Sequence, residues 1–251
     1  APGTATALPK PTLIPNAKVR QGEQRGGQLL VDGKEHFFRA IRHTGAPLHV
    51  LKAAGFDSLW LPPDAAQALV DDADREGWLI IPSAPPIDES RVSTAPAEAL
   101  LDAFRRKFGG SNVLFWDLGG GLTDDKERTV SWTASEVRKA DRRRPLGGDL
   151  WDGFQAYSQR LDVVGAHRWP LFTSLELTSY REWLAQRREL AGNRPVFWTW
   201  VQNHLPEGSP VAAENAGPHP EQVRQLAFLA VALGAFGAHG LKERLSPEML
   251  A

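Results

Sequence analysis

Asp57-Ser58-Leu59-Trp60-Leu61, then Ala65 through Glu76, then Gly77-Trp78-Leu79-Ile80-Ile81 decide the fold of this chain. The first stretch reads as a short apolar strand. In the second, Ala66, Leu69, Val70 and Ala73 recur at helical spacing, and Gly77 stops the helix. The third is a strand again, over 78–81. Strands this short and apolar are buried on both faces, which is the condition of a parallel pair joined by a helical crossover.

The same rhythm extends in both directions. Upstream, Leu29-Leu30-Val31-Asp32-Gly33-Lys34 predicts a strand entering a tight Asp-Gly turn, with His36 to Ile41 returning. Residues 1–27 are rich in Pro, Gly and Ala and read as a linker or irregular arm. Downstream, helices are expected over 96–108, 130–140, 180–190 and 220–233. Strands are expected over 113–118, 145–148, 163–166, 195–201 and, weakly, 235–241. The fold class is α/β. Seven or eight such units fit a closed (β/α)8 TIM barrel over 28–251, and 251 residues suit it as one domain. An open doubly wound sheet is the alternative. It predicts a glycine-rich phosphate loop after its first strand, and none is present. Ser246-Pro247-Glu248 reads as the start of a truncated last helix, and the first residue is Ala, so flanking domains of a longer chain are expected.

Composition narrows the function. The formal net charge of −1 argues against a nucleic-acid or membrane surface as partner. The absence of cysteine removes disulfides, thiolate catalysis and Cys-based zinc sites. No His-Glu-x-x-His motif, phosphate loop or Gly-x-Ser-x-Gly elbow occurs, so neither a metal nor a cofactor is expected. The start lacks a basic-then-apolar signal, and location stays open, with a secreted or periplasmic one compatible. Nine Trp against two Tyr stand out. A large amphipathic ring serves binding surfaces, although most indoles are core.

Three segments carry a family resemblance. Leu29 to Lys34 followed by Phe37-Phe38-Arg39-Ala40-Ile41 resembles the opening of clan A glycoside hydrolases. Leu51-Lys52-Ala53-Ala54-Gly55-Phe56-Asp57-Ser58-Leu59-Trp60 resembles their next helix, Gly-Phe turn and second strand. Ala73 to Pro82 resembles the third unit. The resemblance implies a (β/α)8 barrel and a retaining mechanism on two Glu, one after Asn at the end of the fourth strand and one ending the seventh. Here the fourth strand reads Leu114-Phe115-Trp116-Asp117-Leu118-Gly119-Gly120-Gly121, with Gly120 at the Asn and Gly121 at the Glu position. The seventh reads Pro195-Val196-Phe197-Trp198-Thr199-Trp200, with Trp200 at the nucleophile position. Neither Gly nor Trp offers a titratable proton or a nucleophilic lone pair.

Barrel function gathers at the C-terminal strand ends. Those ends offer Arg42 and His43, Trp60 and Asp64, Trp116 and Asp117, Asp149 and Trp151, His167, Arg168 and Trp169, Trp198, Trp200 and Gln202, and His239, Lys242 and Glu243. Indoles stack on sugar C–H faces, and the polar groups bind hydroxyls. Trp198, Trp200 and Gln202 alternate onto one strand face. Against that, Trp198 could fill the barrel with only Trp200 at the mouth. His167-Arg168-Trp169 is the most site-like tripeptide, and its bland reading pairs Arg168 with Glu176. Asp149, after Gly147-Gly148 and near Asp152, is the first replacement acid or base. Asp117 is the second, with a structural pairing to Arg39 as the alternative. Arg142-Arg143-Arg144 reads as a solvated helix end.

The leading expectation is a glycosidase-like barrel that binds oligo- or polysaccharide without retaining catalysis. The alternatives are an active hydrolase with relocated carboxylates (Asp149 with Asp117 or Glu243) and a scaffold module of a longer protein.

Overall fold

The structure is a computed structural model and describes residues 19–204, 218–232 and 237–238. Three short strands, β1 (Gly22–Arg25), β2 (Gln28–Val31) and β3 (Lys34–Glu35), form an antiparallel sheet. Asp32 and Gly33 both take positive φ, 53° and 76°, as a two-residue turn of matching twist requires. The return strand is Lys34–Glu35 rather than His36 to Ile41: no strand forms over residues 36–39, and Ala40 and Ile41 join a different sheet. Gly22 and Arg25 lie within the expected irregular arm, yet they pair with β2. The hairpin sits at the N-terminal ends of the other strands: Gly22 N–H donates to Val113 O at 3.1 Å and the Gln24 amide to Arg194 O at 2.7 Å. A Cβ on Gly22 would fall 1.7 Å from Leu114 O, so only glycine permits this approach.

The main sheet has eight strands: β4 (Ala40–Arg42), β5 (Ser58–Leu61), β6 (Leu79–Pro82), β7 (Trp116–Asp117), β8 (Leu146–Leu150), β9 (Val163–Ala166), β10 (Val196–Val201) and β11 (Gly237–Ala238). Their order is β6-β5-β4-β11-β10-β9-β8-β7, with every pairing parallel. Continuous ladder pairing stops between β6 and β7. Isolated parallel bridges join Ile80 to Val113 and Ser83 to Asp117 there, and Ala84 N–H reaches Asp117 O at 2.7 Å. This is why the strand expected over 113–118 shrinks to two residues.

Helices α1 (Leu48–Ala53), α2 (Gln67–Arg75), α3 (Ala95–Phe108), α4 (Glu127–Ala140), α5 (Phe154–Ser158), α6 (Leu177–Ala191) and α7 (Pro220–Ala232) follow successive strands. α3 shows the local logic. Pro96 stands in its first turn, Arg105, Arg106 and Lys107 oppose the dipole in its last, and Ala97, Leu101, Phe104 and Phe108 make its buried stripe. The five-residue α5 has no sequence signal of its own. His239, Lys242, Glu243 and the helix expected at Ser246 lie outside the described residues.

Candidate functional site

The centre of the eight-stranded sheet is filled by indoles. Trp60 on β5 lies 4.8 Å from Trp198 and 4.7 Å from Trp200, both on β10, and 5.4 Å from Phe115. All three indoles are at most 2% exposed. Small residues on neighbouring strands make the room. A Cβ on Gly165 of β9 would stand 2.3 Å from the Trp198 ring, and one on Gly147 of β8 would stand 2.7 Å from Phe115. Large rings facing glycines is how close packing is reached here. Trp60, Trp198 and Trp200, expected among the binding residues, are thus buried against one another. Trp116 points the other way along the strand. It is buried against Phe104, donates its Nε1–H to Asp141 at 3.0 Å and carries the Arg144 guanidinium over its ring. It too is removed from the mouth.

Asp117 anchors the plug. It accepts from Trp60 Nε1–H at 2.8 Å, Ser83 Oγ–H at 2.6 Å and Gly119 N–H at 3.2 Å. Burial pushes its carboxyl above the usual range, and these bonds and the charge of Arg42 only partly oppose that. Arg39 is not its partner: Arg39 pairs with Asp57 at 3.4 Å, at the opposite ends of the strands. Arg42 is half-buried, with its guanidinium 5.5 Å from the Trp200 ring centre.

Asp149 and His167 come together. On β8, Asp149 is buried, and its Oδ2 lies 2.6 Å from His167 Nδ1, just past β9. The contact is at ion-pair distance but off the line of a straight N–H···O bond, and Asp149 Oδ1 has no hydrogen-bond partner among the described residues. Around the pair the glycine loop is stitched to β8, with Asp149 N–H to Gly119 O and Leu122 N–H to Asp149 O, both 2.9 Å. Gly121 is exposed with φ +63°, a conformation that suits glycine. Asp152 is not part of this pair; it caps Asp124 N–H at 2.6 Å.

The His167 ring is flanked by Trp151 at 6.3 Å and Trp169 at 4.7 Å, and Trp169 by His204 at 5.0 Å. Trp151 is 49% exposed. Gln202, expected to meet a ligand, is instead fully buried: it accepts Leu171 N–H at 2.8 Å and donates to Leu171 O and His204 O. It clamps the loop after β9 to the loop after β10. His43 turns to Ala46 O at 3.0 Å, and Arg168 lies over Trp183 at 5.2 Å, with no ion pair to Glu176 among the described residues. Asp64 is exposed and apart from this cluster. Sequence reasoning missed His204, Ser83 and Gly165. Only Gly165, a glycine inside an otherwise apolar strand, carried a local signal.

This arrangement of parallel strands and covering helices is similar to the fold of several solved glycoside hydrolases. The chain is similar to a β-glucuronidase of an uncultured Clostridium sp. (TM-score 0.64, 15% identity, over 88% of this chain and 46% of that one). It is likewise similar to a GH2 β-galacturonidase of Eisenbergiella tayi (0.65, 13%, 89% and 46%) and a family 5 glycoside hydrolase of Bacteroides vulgatus (0.61, 14%, 88% and 62%). It thus spans about half the length of the first two. No family model matches the sequence, and no curated protein sequence matches it.

Proposed function

We propose that the protein is a (β/α)8 barrel of glycosidase type that binds oligo- or polysaccharide and does not perform retaining hydrolysis. The continuous order of eight parallel strands, with bridges between its first and last members, supports the barrel. The observation that carries the functional reading is the indole plug. Trp200, aligned with the family's nucleophile, is buried against Trp60 and Trp198, and Gly121, aligned with its acid/base, carries no side chain. Two carboxyls flanking a scissile bond are what that mechanism needs. The exposed Trp151 beside His167 favours sugar contact at the rim.

The test is incubation with a glycan panel that includes β-glucuronides and β-galacturonides, the substrates named for the neighbours. Binding without release of reducing sugar is the expected result. Reducing sugar released by the wild type and abolished by Asp149→Ala would overturn it in favour of an active hydrolase using Asp149. A scaffold role is the second reading. It is favoured by the exposed Phe37, Phe228 and Val231, which with Arg39 and Arg224 surround an apolar cavity of about 230 Å³.

A further inference from the structure

A cavity of about 280 Å³ lies at the N-terminal ends of β7 and β8, opposite the C-terminal face. Three guanidiniums line it: Arg105 from α3, and Arg143 and Arg144 from the loop between α4 and β8. Gln21, which leads into β1, lines it too, with Trp116 and Asp141. The acceptors in this wall are already filled. Asp141 receives the backbone N–H groups of Arg143 and Arg144 and the Arg144 guanidinium, each at 3.1 Å, and the Trp116 Nε1–H at 3.0 Å. At the ends of α3 and α4, Gly109 O accepts from Arg144 at 2.9 Å and Glu136 O accepts from Arg105.

The donors are not all filled. Arg144 is only 5% exposed, yet its Nε–H has no acceptor among the described residues. Among the same residues the side chains of Arg143 and Gln21 make no hydrogen bond or ion pair. Asp102 pairs with Arg105, and Asp141 with Arg144, so Arg143 is the cation of the three without a carboxylate partner among the described residues. A wall whose acceptors are taken and whose donors are left over suits an anion.

We infer that this cavity binds the phosphate group of a small phosphate monoester, at a site separate from the C-terminal face. Guanidinium forks match phosphate oxygens in pairs. The donors and charges come from three segments, before β1, on α3 and before β8. Groups on several sides suit a tetrahedral anion better than a planar carboxylate. The cavity is larger than a bare phosphate, which leaves space for the esterified group. Arg143 grips the phosphate and Gln21 adds an amide N–H. Arg105 and Arg144 supply fixed positive charge, Arg144 being held by Asp141, Gly109 O and the Trp116 ring 5.7 Å away. Groups already held in place lose little freedom on binding. Nothing in this inference depends on the carbohydrate reading.

The experiment is calorimetric titration of the full chain with glycerol 3-phosphate, methyl phosphate and inorganic phosphate, with glycerol, acetate and sodium chloride at matched ionic strength as controls. One saturable site is expected for the phosphates, tightest for an ester, with no binding of the controls. Arg143→Ala is expected to weaken the ester by roughly tenfold or more, the scale of one charge-assisted hydrogen bond. Arg143 is exposed, so this variant keeps the fold. Gln21→Ala is expected to weaken the ester by a smaller factor. Heats no larger than those of the matched salt, equal binding of acetate, or an unchanged affinity in Arg143→Ala overturns the inference. Inorganic phosphate binding as tightly as both esters overturns the assignment to a monoester. None of these outcomes bears on oligosaccharide binding.

Discussion

The indole of Trp198 lies so close to the Cα of Gly165 that a Cβ there would stand 2.3 Å from the ring. The relation joins adjacent strands in register, since Trp198 pairs with Gly165 across β9 and β10. It decides what the centre of the sheet can hold. A larger residue on β9 excludes the ring, and without the ring the centre opens.

Gly165→Ala is therefore expected to destabilise the protein by about 1–3 kcal/mol through overpacking. Trp198→Ala is expected to cost about 3–5 kcal/mol through a cavity. Urea midpoints of the two variants check both figures. An unchanged midpoint for Gly165→Ala would mean that the ring does not lie there.

Carboxylates placed at the two positions that the resemblance aligns with a catalytic pair are not expected to produce hydrolysis. Trp200→Glu buries a carboxylate among Trp60 and Trp198, and it is expected to lower the melting temperature sharply. Gly121→Glu must adopt a φ of +63° or reshape the loop. Release of p-nitrophenol from aryl glycosides by the double variant is expected to stay at background.

The three consecutive arginines are not equivalent. Arg142 and Arg143 are exposed, whereas Arg144 is buried, bonded to Asp141 at 3.1 Å and to Gly109 O at 2.9 Å. Arg144→Ala removes the guanidinium from the Gly109 carbonyl and from Asp141, which keeps the Trp116 indole N–H and backbone donors, and is expected to cost about 1–3 kcal/mol. The same change at Arg142 or Arg143 is expected to stay within about 0.5 kcal/mol. Thermal denaturation of the three single variants makes the comparison.

Asp57 ties the hairpin side of the fold to β4 and β5. Burial pushes its carboxyl up, but contacts from His36, the Arg39 N–H and Ser58 outweigh that and hold it below its ordinary value of 3.8. A depressed carboxyl contributes stability that is present above that ordinary value and is lost as pH falls through the folded value. Asp57→Asn is thus expected to be less stable than the wild type at pH 7, by roughly 1 kcal/mol. The gap should close below about pH 4. A gap of the same size at pH 3 and pH 7 would show that the charge is not what matters.

The helix and strand order was legible because 3.6-residue stripes such as Ala97, Leu101, Phe104 and Phe108 and short apolar strands such as Val163–Ala166 leave clear patterns. β1 was not, since Gly22–Arg25 has neither alternation nor apolar content and is held by backbone pairing. Site residues were legible as a set of positions at strand ends, not as roles. Alternation places Trp198 and Trp200 on one face, but sequence does not say how far the axis is filled; that depends on Gly165 and Gly147 across the sheet. Trp116 and Asp117 were both read as mouth residues, although adjacent strand residues point to opposite faces. The pairing of Asp149 with His167 joins two strands through tertiary geometry alone, and no local spacing encodes it.

The most direct test of the whole account is equilibrium dialysis of the protein against the oligosaccharide panel, with the sugar recovered and analysed after long incubation. The account predicts saturable uptake and a ligand recovered intact. Shortened sugars in the wild-type sample, absent with Asp149→Ala, or no uptake of any glycan, would contradict it.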